Sequence, residues 1–283
     1  MRGHILRMKR ILSLWSLGVV VLLPPVGANE GKVMKDEITE EVRLAPVVVT
    51  ASARGYAISD VAGRISLRSE AGESGVKVRF AKKGEQLLPG ETVTTGQKSR
   101  LELLGGGDAR WRLGGRTAFA LREEGARLLA GTALVVVPEK ETWTVETFGS
   151  EARLGEGMWI LHAVENEGLK VICLDGPARV ETDVAAIAVG VKMKPGELIF
   201  LRPGGKGFGP LVTIYLEEML ATSRLVRGFE EPLPNLTRLV NLGIAQSEQL
   251  KGVTGALVAG ARGEGGFDVV LPRSKEPAPE TGK

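Results

Sequence analysis

From Val47 to about Leu201 the chain is a series of short runs in which apolar and polar residues alternate or β-branched residues cluster. Each run ends at a glycine, a proline or an Asp-Gly pair, which are turn formers. The pattern predicts fourteen strands: VVVTASA, RISLRS, VKVRFA, ETVTT, RLELL, ARWRL, TAFALR, TALVVV, TWTVET, MWILHAV, LKVICLD, ARVET, AIAVGVKM and ELIFLR.

Alternation with a period of two places successive side chains on opposite faces of a strand. Several strands are therefore predicted to have one buried and one solvated face. The predicted buried side chains include Leu101, Leu103, Trp111, Leu113, Trp143 and Val145. The predicted solvated side chains include Arg100, Glu102, Arg110 and Arg112. TALVVVP and MWILHAV are apolar on both faces, which is typical of central strands.

No pattern of helical length lies among these strands, which excludes a parallel α/β sheet. We therefore predict a mainly β fold, with short strands stacked in a solenoid-like or sandwich-like arrangement. After RPGGKGFGP the pattern becomes helical, with Leu211, Tyr215 and Met219 on one apolar stripe. A second helical run begins with Asn235 as a candidate cap and is interrupted at Gly243 and Gly252. The first helix is expected to cap the β-stack, and the role of the second is left open.

The N-terminus has the three parts of an export signal. MRGHILRMKR is basic, ILSLWSLGVVVLL is apolar, and PPVGA ends in small residues. The apolar run is shorter than the roughly 20 residues of a spanning helix. We expect cleavage after Ala28, with a retained anchor as the alternative, and export to the periplasm or cell envelope.

The pattern divides the chain into six predicted segments. These are a signal peptide (1–28), a charged linker (29–46), leading β-strands (47–82), a β domain (83–204), a C-terminal helical segment (210–262) and a disordered tail (263–283).

Composition changes the picture in three ways. Glycine is abundant, with 38 residues in 283, which suits a chain that turns often. Four of the 37 Lys and Arg lie in the first 28 positions, which leaves 33 basic against 34 acidic residues and no electrostatic case for nucleic acid or an anionic membrane. Cys173 is the only cysteine, so the chain has no internal disulfide.

Candidate catalytic groups are few. His162 would be the only histidine of the exported protein, and it lies in an apolar strand with no GxSxG motif in the chain. One histidine and one cysteine do not make a zinc site. Cys173 lies between Ile172 and Leu174, where a buried thiol behaves as a small apolar side chain. We predict no catalytic, cofactor-binding or metal-binding residue.

The remaining polar and aromatic candidates also favour structural roles. The carboxylate pairs Glu123–Glu124, Glu139–Glu141 and Glu217–Glu218 are interpreted as solvated charges. LLGGGDAR is interpreted as a β-turn, because neither a helix start nor GK[ST] follows it. Parity places Trp111 and Trp143 on buried faces, although a binding platform for glycan or peptide is the alternative.

The order of several short motifs over residues 83–204 resembles the FecR-like domain, the periplasmic part of ferric-citrate signalling regulators. The motifs are Gly84, LLPGETV, TTG, SRLELL, LLAGTALVVVP, WTVETFG, VICLDGPARV and KPGELIFL. The structural and motif residues that we single out in this region are Gly84, Pro89, Gly90, Glu91, Gly96, Trp111, Gly131, Trp143, Gly157, Asp175, Gly176, Pro195, Gly196 and Glu197. The chain departs from the family at LGEGMWI, which replaces Arg-Gly-Thr-x-Phe, and at Phe148, which replaces a proline.

The resemblance implies a stack of short strands without enzymatic activity. Only about ten residues precede the apolar run, so we expect a stand-alone exported member that lacks the cytoplasmic anti-sigma domain. The expected function is that of a cell-envelope scaffold or sensing module that binds a protein partner or an envelope glycan. The alternatives are the periplasmic part of a split signalling system that regulates a sigma factor, and a β-solenoid protein that binds or degrades polysaccharide.

Overall fold

The computed structural model describes residues 55–70, 75–122, 125–164, 168–176, 178–251, 257–259 and 268–270. The predicted signal peptide, the charged linker and the predicted strand VVVTASA lie outside the described residues, as do Glu123 and Glu124. No helix in the described ranges is long and apolar enough to cross a bilayer.

Strands dominate the described part of the chain. They are β1 Tyr56–Ala62, β2 Ile65–Glu70, β3 Val76–Phe80, β4 Gln86–Leu87, β5 Thr92–Thr95, β6 Arg100–Leu104, β7 Arg110–Leu113, β8 Ala118–Arg122, β9 Gly125–Thr147, β10 Ser150–Val164, β11 Gly168–Asp175, β12 Ala178–Val184, β13 Ile187–Met193, β14 Glu197–Leu201, β15 Val212–Thr213, β16 Leu257–Ala259 and β17 Asp268–Val270. The helices are α1 Leu216–Thr222, α2 Arg224–Arg227 and α3 Leu236–Leu250. The prediction of a mainly β fold followed by C-terminal helices is confirmed.

The first fifteen strands form one antiparallel sheet that folds over itself into two layers. The first layer has the order β15-β14-β11-β10-β9-β7-β6-β1-β4 and uses residues 131–137 of β9. The second layer contains β3-β2-β5-β8 next to residues 125–130 of β9, and residues 142–147 of β9 next to β10, β12 and β13. Antiparallel pairing corresponds to the sandwich-like alternative.

The long strand β9 joins the two layers. The sequence predicts two strands here, TALVVV and TWTVET, because Pro138 and three charged residues separate them. The structure has one bent strand instead, with Lys140 at a positive φ of 63°. Gly131 provides the earlier bend at φ 82°, and a Cβ there would lie 2.6 Å from the main-chain oxygen of Arg116. This position therefore requires glycine.

The main hydrophobic core lies between the two layers and includes residues of both. Trp111 of the first layer stacks on Trp143 of the second, with ring centroids 5.6 Å apart. β1 pairs with β6 and β2 pairs with β5, so the described part of the predicted leading region belongs to this same sheet. A second apolar cluster lies on the other side of the first layer, under the helices.

The helices cover the outer face of the first layer. α1 buries Leu216, Met219 and Leu220 there, and α3 contributes Leu239. The helix predicted to begin at Leu211 begins at Leu216, because Val212 pairs with β14 instead. The first helix thus covers a face of the sheet rather than the end of a stack.

Two details of α3 differ from the expectation. Asn235 precedes the helix in a left-handed conformation, and its side chain makes no capping hydrogen bond. The helix continues through Gly243, where an interruption was expected. A Cβ at Gly243 would lie 3.1 Å from Cα of Glu217, so the glycine permits close packing of α3 on α1. β16 lies in the predicted helical segment, and β17 lies in the stretch whose composition predicts disorder.

Residues 223–232, which we call the anchoring segment, are fastened to the sheet by Arg112. The Arg112 guanidinium donates hydrogen bonds to the main-chain oxygens of Leu225 at 3.1 Å and Val226 at 3.0 Å, and also to that of Glu231. Its Nε donates to the Glu102 carboxylate at 2.8 Å. A sheet side chain therefore binds the carbonyl groups at the end of α2.

This contact corrects the prediction that Glu102 and Arg112 are solvated. Arg112 is 0% exposed and Glu102 is 1% exposed. The alternation correctly places both opposite the core, but the anchoring segment then covers that face. Phe229 adds to the cover, with its ring 4.5 Å from the Arg112 guanidinium. Burial lowers the pKa of Arg112, while the hydrogen bond that it donates to Glu102 opposes this shift.

Candidate functional site

The motif Leu88-Pro89-Gly90-Glu91 forms a tight turn into β5. Gly90 has a positive φ of 86°, and its N–H donates to the main-chain oxygen of Leu121 at 2.9 Å. The Glu91 carboxylate accepts the N–H of Leu88 at 2.9 Å and is bound by Arg79 at 3.0 Å. The glutamate therefore holds its own turn closed.

The related motif Lys194-Pro195-Gly196-Glu197 makes the same turn into β14. Gly196 has a φ of 81° and donates its N–H to the main-chain oxygen of Cys173 at 2.9 Å. The Glu197 carboxylate accepts the N–H of Lys194 at 2.6 Å. The two motifs thus share one hydrogen-bond pattern, and their glutamates act within the turns.

Three of the other motif residues, Gly157, Asp175 and Gly176, line one groove that is described below. The remaining motif residues are distributed over the sheet. Gly84 donates its N–H to the main-chain oxygen of Ile58 at 2.8 Å, and Gly96 donates to that of Arg64 at 2.9 Å. Trp111 and Trp143 lie in the core, with 1% and 3% exposure. Neither indole therefore offers a platform to an external ligand.

Cys173 and His162 are both held in unreactive states. Burial raises the pKa of the Cys173 thiol to about 12, and the nearby Asp175 carboxylate adds to this shift. The thiolate, which is the nucleophilic form, is therefore scarce. Burial lowers the pKa of His162 to about 4, with a smaller contribution from the positive charge of Lys170. The imidazole is neutral at physiological pH.

The depressed pKa of His162 predicts an acid-sensitive stability. Between about pH 6.5 and pH 4 the unfolded histidine binds a proton and the folded one does not, so the free energy of unfolding falls as the pH falls. Because His162 is only partly buried, we expect a loss of about 1 kcal/mol. Urea unfolding at about pH 7.5 and about pH 4.5 measures this loss. His162→Gln should reduce the difference between the two pH values, and an unchanged difference would contradict the assignment.

An open groove of about 600 Å³ lies beside the start of α3, lined by Gly157, Gly176 and several carboxylates. Each carboxylate with a described contact binds a group of this chain. Glu141 accepts the Trp143 Nε1–H at 2.8 Å, Glu156 accepts the N–H of Lys140 at 2.9 Å, and Asp175 pairs with Arg238 at 3.0 Å. Among the described residues, no group of three or more His, Cys, Asp and Glu side chains is arranged to hold a metal ion.

A different kind of surface lies at the edge of the second layer. Among the described residues, β3 pairs with β2 and with no other strand, and all five of its residues are exposed. Val76 is 50% exposed, Val78 66% and Phe80 57%. These three side chains lie on one face of the strand, because they alternate with Lys77 and Arg79. An exposed apolar strand at the edge of a sheet is the feature that most favours intermolecular contact.

The sequence pattern predicts the strand VKVRFA but does not indicate that it forms an exposed apolar edge. The alternation of VKVRF by itself favours burial of Val76, Val78 and Phe80. The register shows the reverse: Arg79 lies opposite the buried Leu67, and Val78 lies opposite the exposed Arg68. The apolar side chains therefore point away from the core. Only the strand order of the sheet contains this information.

The comparisons with known proteins give distant similarities. No protein-family model matches the chain, and no curated protein matches it. The chain is similar to two crystal structures of a candidate anti-sigma factor from Parabacteroides distasonis ATCC 8503, with 13% and 14% sequence identity and a TM-score of 0.34 in both cases. Each match covers 43% of this chain and 57% of the other chain, so it spans less than two thirds of the relative's length. A similarity this distant does not assign the chain to a family.

Proposed function

We propose that this chain is an exported, non-enzymatic protein of the cell envelope that acts as a scaffold or sensing module through contact with a protein partner. The contact surface is the free edge of β3. The exposure of Val76, Val78 and Phe80, on a strand that has β2 as its one partner within the described ranges, carries this proposal.

The state of the reactive side chains supports a role without catalysis. The raised pKa of Cys173 disfavours the thiolate, and the lowered pKa of His162 leaves no imidazolium to act as an acid near neutral pH. The groove carboxylates Glu141, Glu156 and Asp175 bind groups of the chain itself.

The position of the C-terminal helices supports β3 as the contact surface. An amphipathic helix can dock in the groove of a partner. Here the apolar residues of α1, together with Leu239 of α3, are buried against the chain's own sheet. β3 keeps its apolar side chains exposed.

A component of a split signalling system would also act by binding a protein partner. Such a role is therefore a more specific version of this proposal. Polysaccharide recognition has less support, because sugar platforms are commonly exposed aromatic rings. Trp111, Trp143 and Trp159 are all buried.

The test is photo-crosslinking in cells with the full-length chain. A photoreactive residue at Val78 should give a crosslinked product with another envelope protein, whereas the same residue at Arg122, an exposed position of the second layer, should not. N-terminal sequencing of the recovered protein should begin at Asn29 if the export signal is removed. Products at neither position, or equal products at both, would contradict the proposed contact surface.

A further inference from the structure

The main-chain groups of β3 divide into two sets. The N–H of Ala81 donates to the main-chain oxygen of Ile65 at 3.1 Å, so Ala81 points toward β2. Main-chain direction alternates along an antiparallel strand. Lys77 and Arg79 therefore also point toward β2, and the N–H and C=O groups of Val76, Val78 and Phe80 point outward.

The residues with outward main-chain groups are the same three whose apolar side chains are exposed. Among the described residues, no hydrogen bond to the main-chain N–H or C=O of Val76, Val78 or Phe80 is present. Extended segments that join a sheet edge take their affinity from such main-chain groups and their specificity from alternate side chains. β3 offers both over five residues.

The other edge of the second layer lacks this combination. β13 ends that edge, and its hairpin with β12 closes at Val184 and Ile187. By the same alternation, the outward main-chain groups of β13 belong to Ala188, Gly190 and Lys192. These side chains are small or charged. β13 also exposes Ile187 and Val189, at 68% and 39%, but these two residues direct their main-chain groups toward β12. Between the two edges of the second layer, outward main-chain groups and exposed large apolar side chains therefore coincide at β3.

The cationic side chains near β3 indicate the charge of its partner. The carboxylates of Glu85 and Glu91 neutralise Arg79, at 2.7 Å and 3.0 Å. Within the described part of the chain, Lys77 and Lys82 are exposed and lie in no ion pair. Lys77 lies on the face of β3 opposite the apolar side chains, so a paired strand would meet positive charge on one face and apolar groups on the other.

We propose that β3 binds an extended segment of another protein in which apolar residues alternate with acidic ones. This inference rests on the proposed function and specifies the partner's chemistry. The segment pairs with the outward main-chain groups of Val76, Val78 and Phe80. Its apolar side chains extend the row formed by these three residues, and its carboxylates lie beside Lys77.

The test measures binding of a fluorescent peptide of alternating valine and glutamate to the full chain by fluorescence anisotropy. Val78→Pro removes one outward N–H and one apolar side chain and leaves the hydrogen bonds to β2 in place, because proline is tolerated where the N–H of an edge strand faces solvent. Ala188→Pro is the matched control, since it also removes one outward N–H, on the edge of β13. Circular dichroism verifies that both variants retain the sheet.

We expect Val78→Pro to weaken peptide binding about tenfold or more, and Ala188→Pro to leave it unchanged. A peptide of alternating valine and lysine should bind more weakly than the glutamate peptide, by a ratio that shrinks as salt is added. Equal binding of the two peptides, or equal loss in the two proline variants, would overturn the proposal. So would a dimer of the chain that Val78→Pro dissociates, because a second copy would then occupy β3.

The two proposals fail in different ways. If crosslinks form at Val78 in cells but the glutamate peptide does not bind, the partner's chemistry is wrong and the contact surface stands. If crosslinks are absent as well, the proposed function itself is contradicted.

Discussion

Replacement of Arg112 by alanine should lower the free energy of unfolding by about 3–5 kcal/mol, because it removes the fully buried partner of the Glu102 carboxylate and leaves it paired with Arg110 alone. It also removes the donors to the carbonyl groups of Leu225, Val226 and Glu231. Urea unfolding followed by circular dichroism measures this loss.

Two further variants separate this contact from a general effect of lost charge. Arg127 pairs with Glu146 on the surface, where both side chains are 41% exposed, so Arg127→Ala should cost less than about 1 kcal/mol. The double variant Arg112→Met with Glu102→Leu should lose less than Arg112→Ala, because the buried carboxylate is removed together with its buried partner, and Arg110 keeps Glu231 as an ion-pair partner. A loss from Arg112→Ala no larger than that from Arg127→Ala would show that the buried ion pair does not hold the anchoring segment.

In Arg112→Ala, the anchoring segment should unfold locally under conditions in which the rest of the protein stays folded. Without Arg112, the anchoring segment loses its fully buried polar contacts with the first layer. It keeps weaker or exposed ones, such as those of Arg110 with Pro232 and of Lys83 with Glu230, and the helices keep their apolar contacts. Limited proteolysis of Arg112→Ala is therefore expected to cut within residues 223–232 faster than in the wild type, while the β domain stays intact. Cleavage of both parts at equal rates would show that they unfold as one unit.

Trp111→Ala should destabilise the protein by about 3–5 kcal/mol, as expected for a large aromatic side chain removed from a core. Trp111 belongs to the first layer, is 1% exposed and contacts two aromatic residues of the second layer. It stacks on Trp143 at 5.6 Å and lies 5.0 Å from Phe119. Loss of the indole therefore opens a cavity where the two layers meet.

The matched control is Phe80→Ala, which removes an aromatic ring that is 57% exposed. Its effect on unfolding should be within about 0.5 kcal/mol. The two variants are compared by urea unfolding, and near-ultraviolet circular dichroism reports the loss of the stacked tryptophan pair. Similar free-energy losses in both would contradict the assignment of Trp111 to the core.

Much of the sheet could be predicted from local pattern. The alternation correctly places Trp143 and Val145 on the core face. The period of the strand alone is enough to assign a side chain to one face or the other. The two Pro-Gly-Glu motifs predict turns correctly, since proline and glycine restrict the main chain locally.

Long-range covering could not be predicted in this way. Glu102 and Arg112 lie opposite the core as expected, but their burial depends on a segment more than a hundred positions later in the chain. The exposure of Val78 depends on β3 lying at an edge, and strand order is not encoded in the strand itself. For the same reason, the exposed apolar edge of β3 could not be identified from sequence motifs.

The contact between Arg112 and the anchoring segment also has a consequence for the order of events during synthesis. The donor and acceptor residues are separated by 113 to 119 positions. Until residues 225–231 have been made, the Arg112 guanidinium and the apolar outer face of the first layer stay exposed to solvent. An unfinished polypeptide therefore cannot reach the native state. Contacts of such sequence separation also slow the search for the native topology. A newly made chain should therefore remain accessible to chaperones until most of it has emerged from the ribosome.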